Sequence, residues 1–200
     1  MQARVSSFRY LLLLAIAWLA GCALQPPVTI RGEADPALQA QLAGVERWQL
    51  DGKLAVRTPQ QSESARVQWA QDGDSFDIRL SGPAGLKATR IYGMPGGVRF
   101  EQGERRESAG SAEALSERLI GWPLPAAGLT YWLRGLPARD VPPQAASYTE
   151  QGWLAELEQA GWQLHFSQHQ PVGNVVLPGR IEAARGDVRI TVIIKQWTLP

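Results

Sequence analysis

The sequence predicts a mainly β, α+β fold: an incomplete antiparallel β-barrel of about eleven strands, with a helical lid over a hydrophobic cavity. Three observations predict it. Most of the chain after Trp48 alternates apolar and polar residues with a period of two, the mark of strands with one buried face. Tight-turn sequences punctuate that alternation, so successive strands are antiparallel rather than joined by crossovers. Two short stretches in the middle third change to helical spacing. A sheet this wide and twisted curls, and apolar helices inserted into it find cover across its open mouth.

Taken in order, Trp48, Leu50, Leu54 and Val56 alternate with Gln49, Asp51, Lys53 and Arg57, and Gly52 on the apolar face marks a bend or a close approach. Ala65, Val67 and Trp69 follow, then the hairpin signal Asp72-Gly73-Asp74, then Phe76, Ile78 and Leu80. A loop over residues 81–85 leads to a strand over 86–92, and Pro95-Gly96-Gly97 turns the chain into Val98-Arg99-Phe100. Ala112, Leu115, Leu119 and Trp122 are spaced for one face of a helix, with Ser111 as its N-cap and Gly121 as its end. Leu129, Trp132, Leu133 and Leu136 repeat the pattern before Gly135 and Pro137 stop it. Strands resume with Trp153, Ala155 and Leu157, then Trp162, Leu164 and Phe166, then one around Ile181, and finally Val188, Ile190, Val192 and Ile194.

The N-terminus has a different logic. Arg4 and Arg9 precede an apolar run over residues 10–18, too short for a span of about 20 residues, and Leu19-Ala20-Gly21-Cys22 closes it. This pattern resembles the lipobox of bacterial lipoproteins, in which the cysteine thiol is acylated and the peptide cut before it. An ordinary signal peptide with an incidental cysteine is the alternative. The expected organisation is a signal over residues 1–21, a lipid-anchored tether over 22–44 and a folded domain over 45–200. A short helix is possible within the tether over residues 37–44. Nothing after residue 22 is apolar for long enough to cross a bilayer. The chain has 20 basic and 19 acidic residues, and the signal takes two of the arginines with it. Such a balance argues against a nucleic-acid surface.

Catalytic machinery is hard to assemble from this chain. It has two histidines, His165 and His169, whose spacing on a strand separates them by about 13 Å. It lacks a nucleophile elbow, a zinc-binding HExxH, a phosphate-cradling loop and metal-spaced cysteines. The expectation is a non-enzyme with no cofactor beyond the covalent lipid at Cys22, and no metal. Tryptophan dominates the apolar content, and each indole buries on the order of 200 Å². A curled sheet either packs its interior with such side chains or holds a ligand there. The candidates for an acyl-chain cavity are Trp48, Leu50, Leu54, Val67, Trp69, Phe76, Ile78, Leu80, Leu129, Trp132 and Leu133.

Several of these segments together resemble the LolB family of outer-membrane lipoprotein receptors. They are Trp48-x-Leu50-x-Gly52-x-Leu54-Ala55-Val56, the loop over residues 80–85, Trp122-Pro123-Leu124-Pro125, and the Tyr131-Trp132-Leu133-Arg134-Gly135-Leu136-Pro137 segment. Gly161-Trp162, Leu177-Pro178 and Ile194-Lys195-Gln196-Trp197 complete the set. The resemblance implies a monomer, lipid-anchored on the periplasmic face of the outer membrane. It implies acceptance of acylated lipoproteins from the soluble periplasmic carrier LolA and their insertion into the inner leaflet of that membrane. Ala23 agrees with that address, since an aspartate after the cysteine is the sorting signal for the inner membrane. The resemblance also implies a membrane-entering loop, here Pro83, Ala84, Gly85 and Leu86, in which Ala84 stands where the family places a leucine. Either Leu86 takes over that contact or the loop works through its shape. The alternative reading is a scaffold or interaction lipoprotein with a filled barrel core. A lipid hydrolase with an unconventional site is a third.

Overall fold

Period-two alternation is realised as a twelve-stranded sheet in the computed structural model, which describes residues 29–82, 88–120 and 125–200. The strands are β1 (Thr29–Arg31), β2 (Arg47–Arg57), β3 (Ser62–Asp72), β4 (Ser75–Ser81), β5 (Thr89–Met94), β6 (Gly97–Gln102), β7 (Arg105–Ala109), β8 (Ala145–Tyr148), β9 (Leu154–Gln159), β10 (Trp162–Ser167), β11 (Gln170–Val172), β12 (Val175–Leu177), β13 (Arg180–Arg185) and β14 (Val188–Thr198). Their spatial order is β1-β8-β9-β10-β13-β14-β2-β3-β4-β5-β6-β7, with β11 and β12 forming a separate hairpin. Eleven of the twelve pair antiparallel, and β1 adds to β8 in parallel. The sheet stays open, since β1 and β7 are edges and do not pair with each other.

Two elements lie within the stretch 22–44 expected as a tether: β1 and the helix α1 (Pro36–Ala43). Asp35 caps α1, its Oδ1 accepting from the backbone N–H of Ala37 at 2.8 Å and of Leu38 at 3.3 Å, and proline occupies the first turn where its missing N–H costs nothing. Helices α2 (Ala112–Ile120) and α3 (Ala126–Trp132) interrupt the sheet between β7 and β8. Ser111 caps α2 as expected, accepting from the Ala114 N–H at 3.1 Å. Gly135, at φ +75°, turns the chain after α3, and the Leu136 N–H returns to the Tyr131 carbonyl.

One face of the sheet is buried. On β2, Trp48 and Leu50 are 2% and 4% exposed while Arg47, Gln49 and Lys53 face water, and the same alternation runs through β3, β10 and β14. Gly52 marks the expected close approach. A Cβ there would collide with the Ile193 carbonyl on β14, next to the register shift between Ile194 and Gln196. The phase of β9 differs from expectation. Leu154, Leu157 and Gln159 are buried, whereas Trp153 precedes the strand and stacks on His169 at 5.2 Å. A register shift between Ser147 and Tyr148 on β8 accounts for the change of face. Among the described residues no helix is long and apolar enough to cross a membrane.

Candidate functional site

The concave face of the sheet collects nearly every apolar residue singled out from the sequence. Trp48, Leu50, Val67, Trp69, Ile78, Leu129, Trp132 and Leu133 belong to one buried cluster, with Leu54, Phe76 and Leu80 packed half-buried against it. Aromatic rings tile its floor. Trp48 lies 5.6 Å from Trp69 and meets Trp197 edge-on at 5.3 Å, and Trp69 reaches Phe76 at 6.4 Å. Indole N–H groups this deep need acceptors. Trp69 donates to the Gln71 side-chain oxygen at 2.8 Å, and Trp197 to the Pro178 carbonyl at 3.0 Å.

The two helices cover this face unequally. Helix α3 and the turn after it drive Leu129, Trp132, Leu133 and Leu136 into the main cluster. Gln159, fully buried, holds it there: Oε1 accepts from Trp132 Nε1 at 2.7 Å and from the Ala138 N–H at 2.8 Å, while Nε2 donates to the Ala138 and Val141 carbonyls. Arg134 makes a second tie. Its guanidinium donates to the carbonyls of Val45 at 2.8 Å, Leu42 at 3.3 Å and Thr130 at 3.0 Å, and lies over the Tyr131 ring. Burial lowers its pKa from the usual arginine value. Gln159 carried a signal in the sequence, as a polar residue at an inward position two along from Leu157. Helix α2 is held more lightly. Leu115 is its buried anchor, set against Val98 and Phe100 in a smaller cluster, and Arg118 reaches Glu107 at 3.4 Å across the edge strand β7.

Between the helices and the sheet remains a cavity of about 380 Å³, bordered by Trp48, Trp69, Phe76 and Val98 below and by Ala112, Ala126 and Tyr131 above. Polar residues, among them Glu46, Asp74, Arg134 and Arg139, also line it. Towards the ends of the strands at Arg57 and Ser81, Leu54, Val56 and Leu80 on this face are only half-buried. A hollow of about 640 Å³ lies on the opposite, outer face, lined by Glu156, Glu158, His165 and Glu182 among others. Among the described residues no His, Cys, Asp or Glu group is arranged to hold a metal ion. Cys22 and the loop residues Pro83, Ala84, Gly85 and Leu86 lie outside the described residues, as does Trp122.

This arrangement has known counterparts. The family model for the outer membrane lipoprotein LolB matches residues 46–197. The outer-membrane lipoprotein LolB of Cellvibrio japonicus is 42% identical, with 96% of this chain and 98% of that protein covered. That of Stutzerimonas stutzeri is also 42% identical, covering 90% of this chain and 89% of the relative. Among solved structures, a LolA superfamily protein from Nitrosomonas europaea superposes with a TM-score of 0.54 at 10% identity, covering 84% of this chain and 94% of that one, which speaks for the fold. The open antiparallel sheet is thus a fold found in that solved structure as well, while sequence identity over nearly the whole chain places it more narrowly: the chain belongs to the LolB family of outer-membrane lipoproteins.

Proposed function

We propose that the protein is the outer-membrane acceptor of acylated lipoproteins, taking them from the soluble periplasmic carrier LolA and releasing them into the inner leaflet. The family membership supports the reading, and the carrying observation is the apolar face of the sheet, whose residues Leu54, Val56 and Leu80 are only half-buried at one edge. The energetic need is plain. Three acyl chains of about 16 carbons, at about 0.8 kcal/mol per CH₂, put roughly 35–40 kcal/mol between water and a dry environment. Passage from one apolar interior to another avoids that barrier, and no covalent chemistry is required of either partner. Cys22 supplies the protein's own lipid anchor and, at the membrane, places the acceptor where release occurs.

The cavity of about 380 Å³ lies near the lower end of the range for drug-sized ligands, about 300–1,000 Å³. Accepting several acyl chains therefore requires the interior to widen. Helix α2 is the element to move, because its described side chains, Leu115 with Ala112 and Leu119, pack on the smaller cluster of Val98 and Phe100 while α3 is set into the main one. A scaffold with a filled core needs no such movement.

In this reading the loop Pro83-Ala84-Gly85-Leu86 enters the membrane during release, with Leu86 in place of the family's leucine at Ala84. Placing an acidic side chain in hydrocarbon costs about 2.5–3.5 kcal/mol at the bilayer centre. Leu86→Glu is therefore expected to leave cargo binding unchanged and to slow insertion into vesicles by at least about tenfold. Insertion at the unaltered rate would remove the loop from the mechanism.

A further inference from the structure

The outer face of the sheet separates its charges in a way that the interior site does not explain. Away from the edge formed by the ends of β2 and β4, three of its arginines have carboxylate partners, Arg47 with Asp72 at 2.9 Å, and Arg79 and Arg90 with Asp77 at 3.3 and 2.8 Å, while Arg99 on β6 has none among the described residues. Near that edge the pattern reverses. Arg57 on β2 is the direct register partner of Arg189 on β14, and Lys53 of Arg66 on β3. All four are exposed. Arg66 is held by Asp51, whereas Lys53, Arg57 and Arg189 have no ion-pair partner among the described residues. The other carboxylates close by are Asp187 in the β13–β14 turn, Glu182, which Arg180 engages at 2.7 Å, and Glu63 on β3, the register partner of Val56. Like charges placed directly opposite across strands are destabilising, and the Arg57–Arg189 pair, unlike Lys53–Arg66 with Asp51 beside it, is a cost without return inside the fold. Lys53 and Arg57 are four residues apart, about 13 Å along the strand, so the patch is as broad as a few lipid headgroups.

Two further features point the same edge in one direction. The transverse row that contains Arg57 and Arg189 continues through Ala184, Gln163, Glu158 and Ala145 to Thr29, where β1 begins. The chain thus joins the sheet at this edge, and Thr29 lies seven positions after Cys22. Seven residues reach at most about 25 Å, so a lipid on Cys22 keeps this edge close to the bilayer. The ends of β4 at Ser81 and β5 at Thr89 lie on the same edge, which is also where the concave face is half-covered.

We infer that Lys53, Arg57, Arg66 and Arg189 form a docking surface for anionic phospholipid headgroups, which holds the open edge of the sheet against the membrane while cargo leaves. The inference rests on the acceptor reading for its purpose, though not for its test. Each basic side chain near an anionic surface contributes about fivefold to binding, and the effect is screened by salt.

The test uses the full chain carrying Cys22→Ala, which removes the acylated thiol, with vesicles of phosphatidylcholine alone or mixed with phosphatidylglycerol. The parent is expected to prefer the anionic vesicles and to lose that preference as salt is raised. Arg57→Glu/Arg189→Glu is expected to reduce the preference by at least about tenfold. The neutral pair Arg57→Gln/Arg189→Gln should also weaken it while leaving the urea midpoint unchanged or higher, since a repulsion has been removed. Arg47→Glu, on the opposite edge, should leave the preference intact. A parent without preference, or arginine variants that keep it, overturns the inference. So does a variant that loses docking of the carrier with vesicle binding unaltered, which would assign the face to a protein. Binding of a fluorescent acyl probe in the interior should be the same in all variants. Its absence from the parent would sink the acceptor reading and leave patch-dependent vesicle binding standing.

Discussion

His169 shows how far a side chain's role depends on neighbours distant in sequence. It stacks on Trp153 at 5.2 Å, and burial pushes its imidazole below the usual histidine value, aided by the nearby charge of His165 and opposed by a backbone hydrogen bond at Leu154. The sign of its effect follows directly. The unfolded chain binds the proton more tightly than the folded one, so stability is complete above about pH 6.5 and declines as pH falls through that value towards the lower folded pKa. Asp77 behaves similarly in a separate window. Its carboxyl is held below the ordinary carboxylate value, first by the hydrogen bond from Arg90, so its contribution is lost only below about pH 4. Urea unfolding is expected to show stability falling between about pH 7 and pH 5, with the slope reduced in His169→Phe and retained in His165→Gln. An unchanged slope in His169→Phe would remove this residue as the source.

At the scale of elements, the two helices that cover the sheet have different duties. Both were legible from their apolar spacing, and Ser111 and Gly135 mark their ends as expected. Spacing alone does not show that α3 is fastened through Gln159 and Arg134 while α2 rests on Leu115. Gln159→Leu would keep the volume and strip partners from Trp132 Nε1, the Ala138 N–H and the carbonyls of Ala138 and Val141. A buried group left unpaired costs about 1–3 kcal/mol, so a loss of roughly 2–4 kcal/mol is expected by urea or thermal unfolding. A loss below about 1 kcal/mol would mean that α3 is not fastened in this way. Two of the strands that escaped the sequence reading, β7 and β8, have a common reason. β7 is Arg-Arg-Glu-Ser-Ala and β8 is Ala-Ala-Ser-Tyr, short elements near or at the ends of the sheet without a large apolar face. They pair because a neighbour offers unsatisfied backbone groups.

For the whole molecule, the fold was legible because one face of nearly every central strand is apolar, and that pattern sets register and curvature together. The interior residues followed from the same pattern. The degree to which they fill the interior did not, because it depends on how Trp132, Leu133 and Leu136 pack against strands far away in sequence. Nor did the charged edge: Arg57 and Arg189 become neighbours only through the register of β2 with β14. The fold places the half-covered apolar face, the basic pairs and the chain's entry at one edge of the sheet.

The proposed acceptor role requires that acylated cargo pass from the carrier to this protein. Its most direct measurement mixes the LolA carrier, loaded with a triacylated lipoprotein, with this protein in the absence of membrane, and follows which partner holds the cargo. Cargo should pass to this protein without ATP and be released on addition of vesicles. Cargo that stays on the carrier, with both proteins folded, would contradict the account.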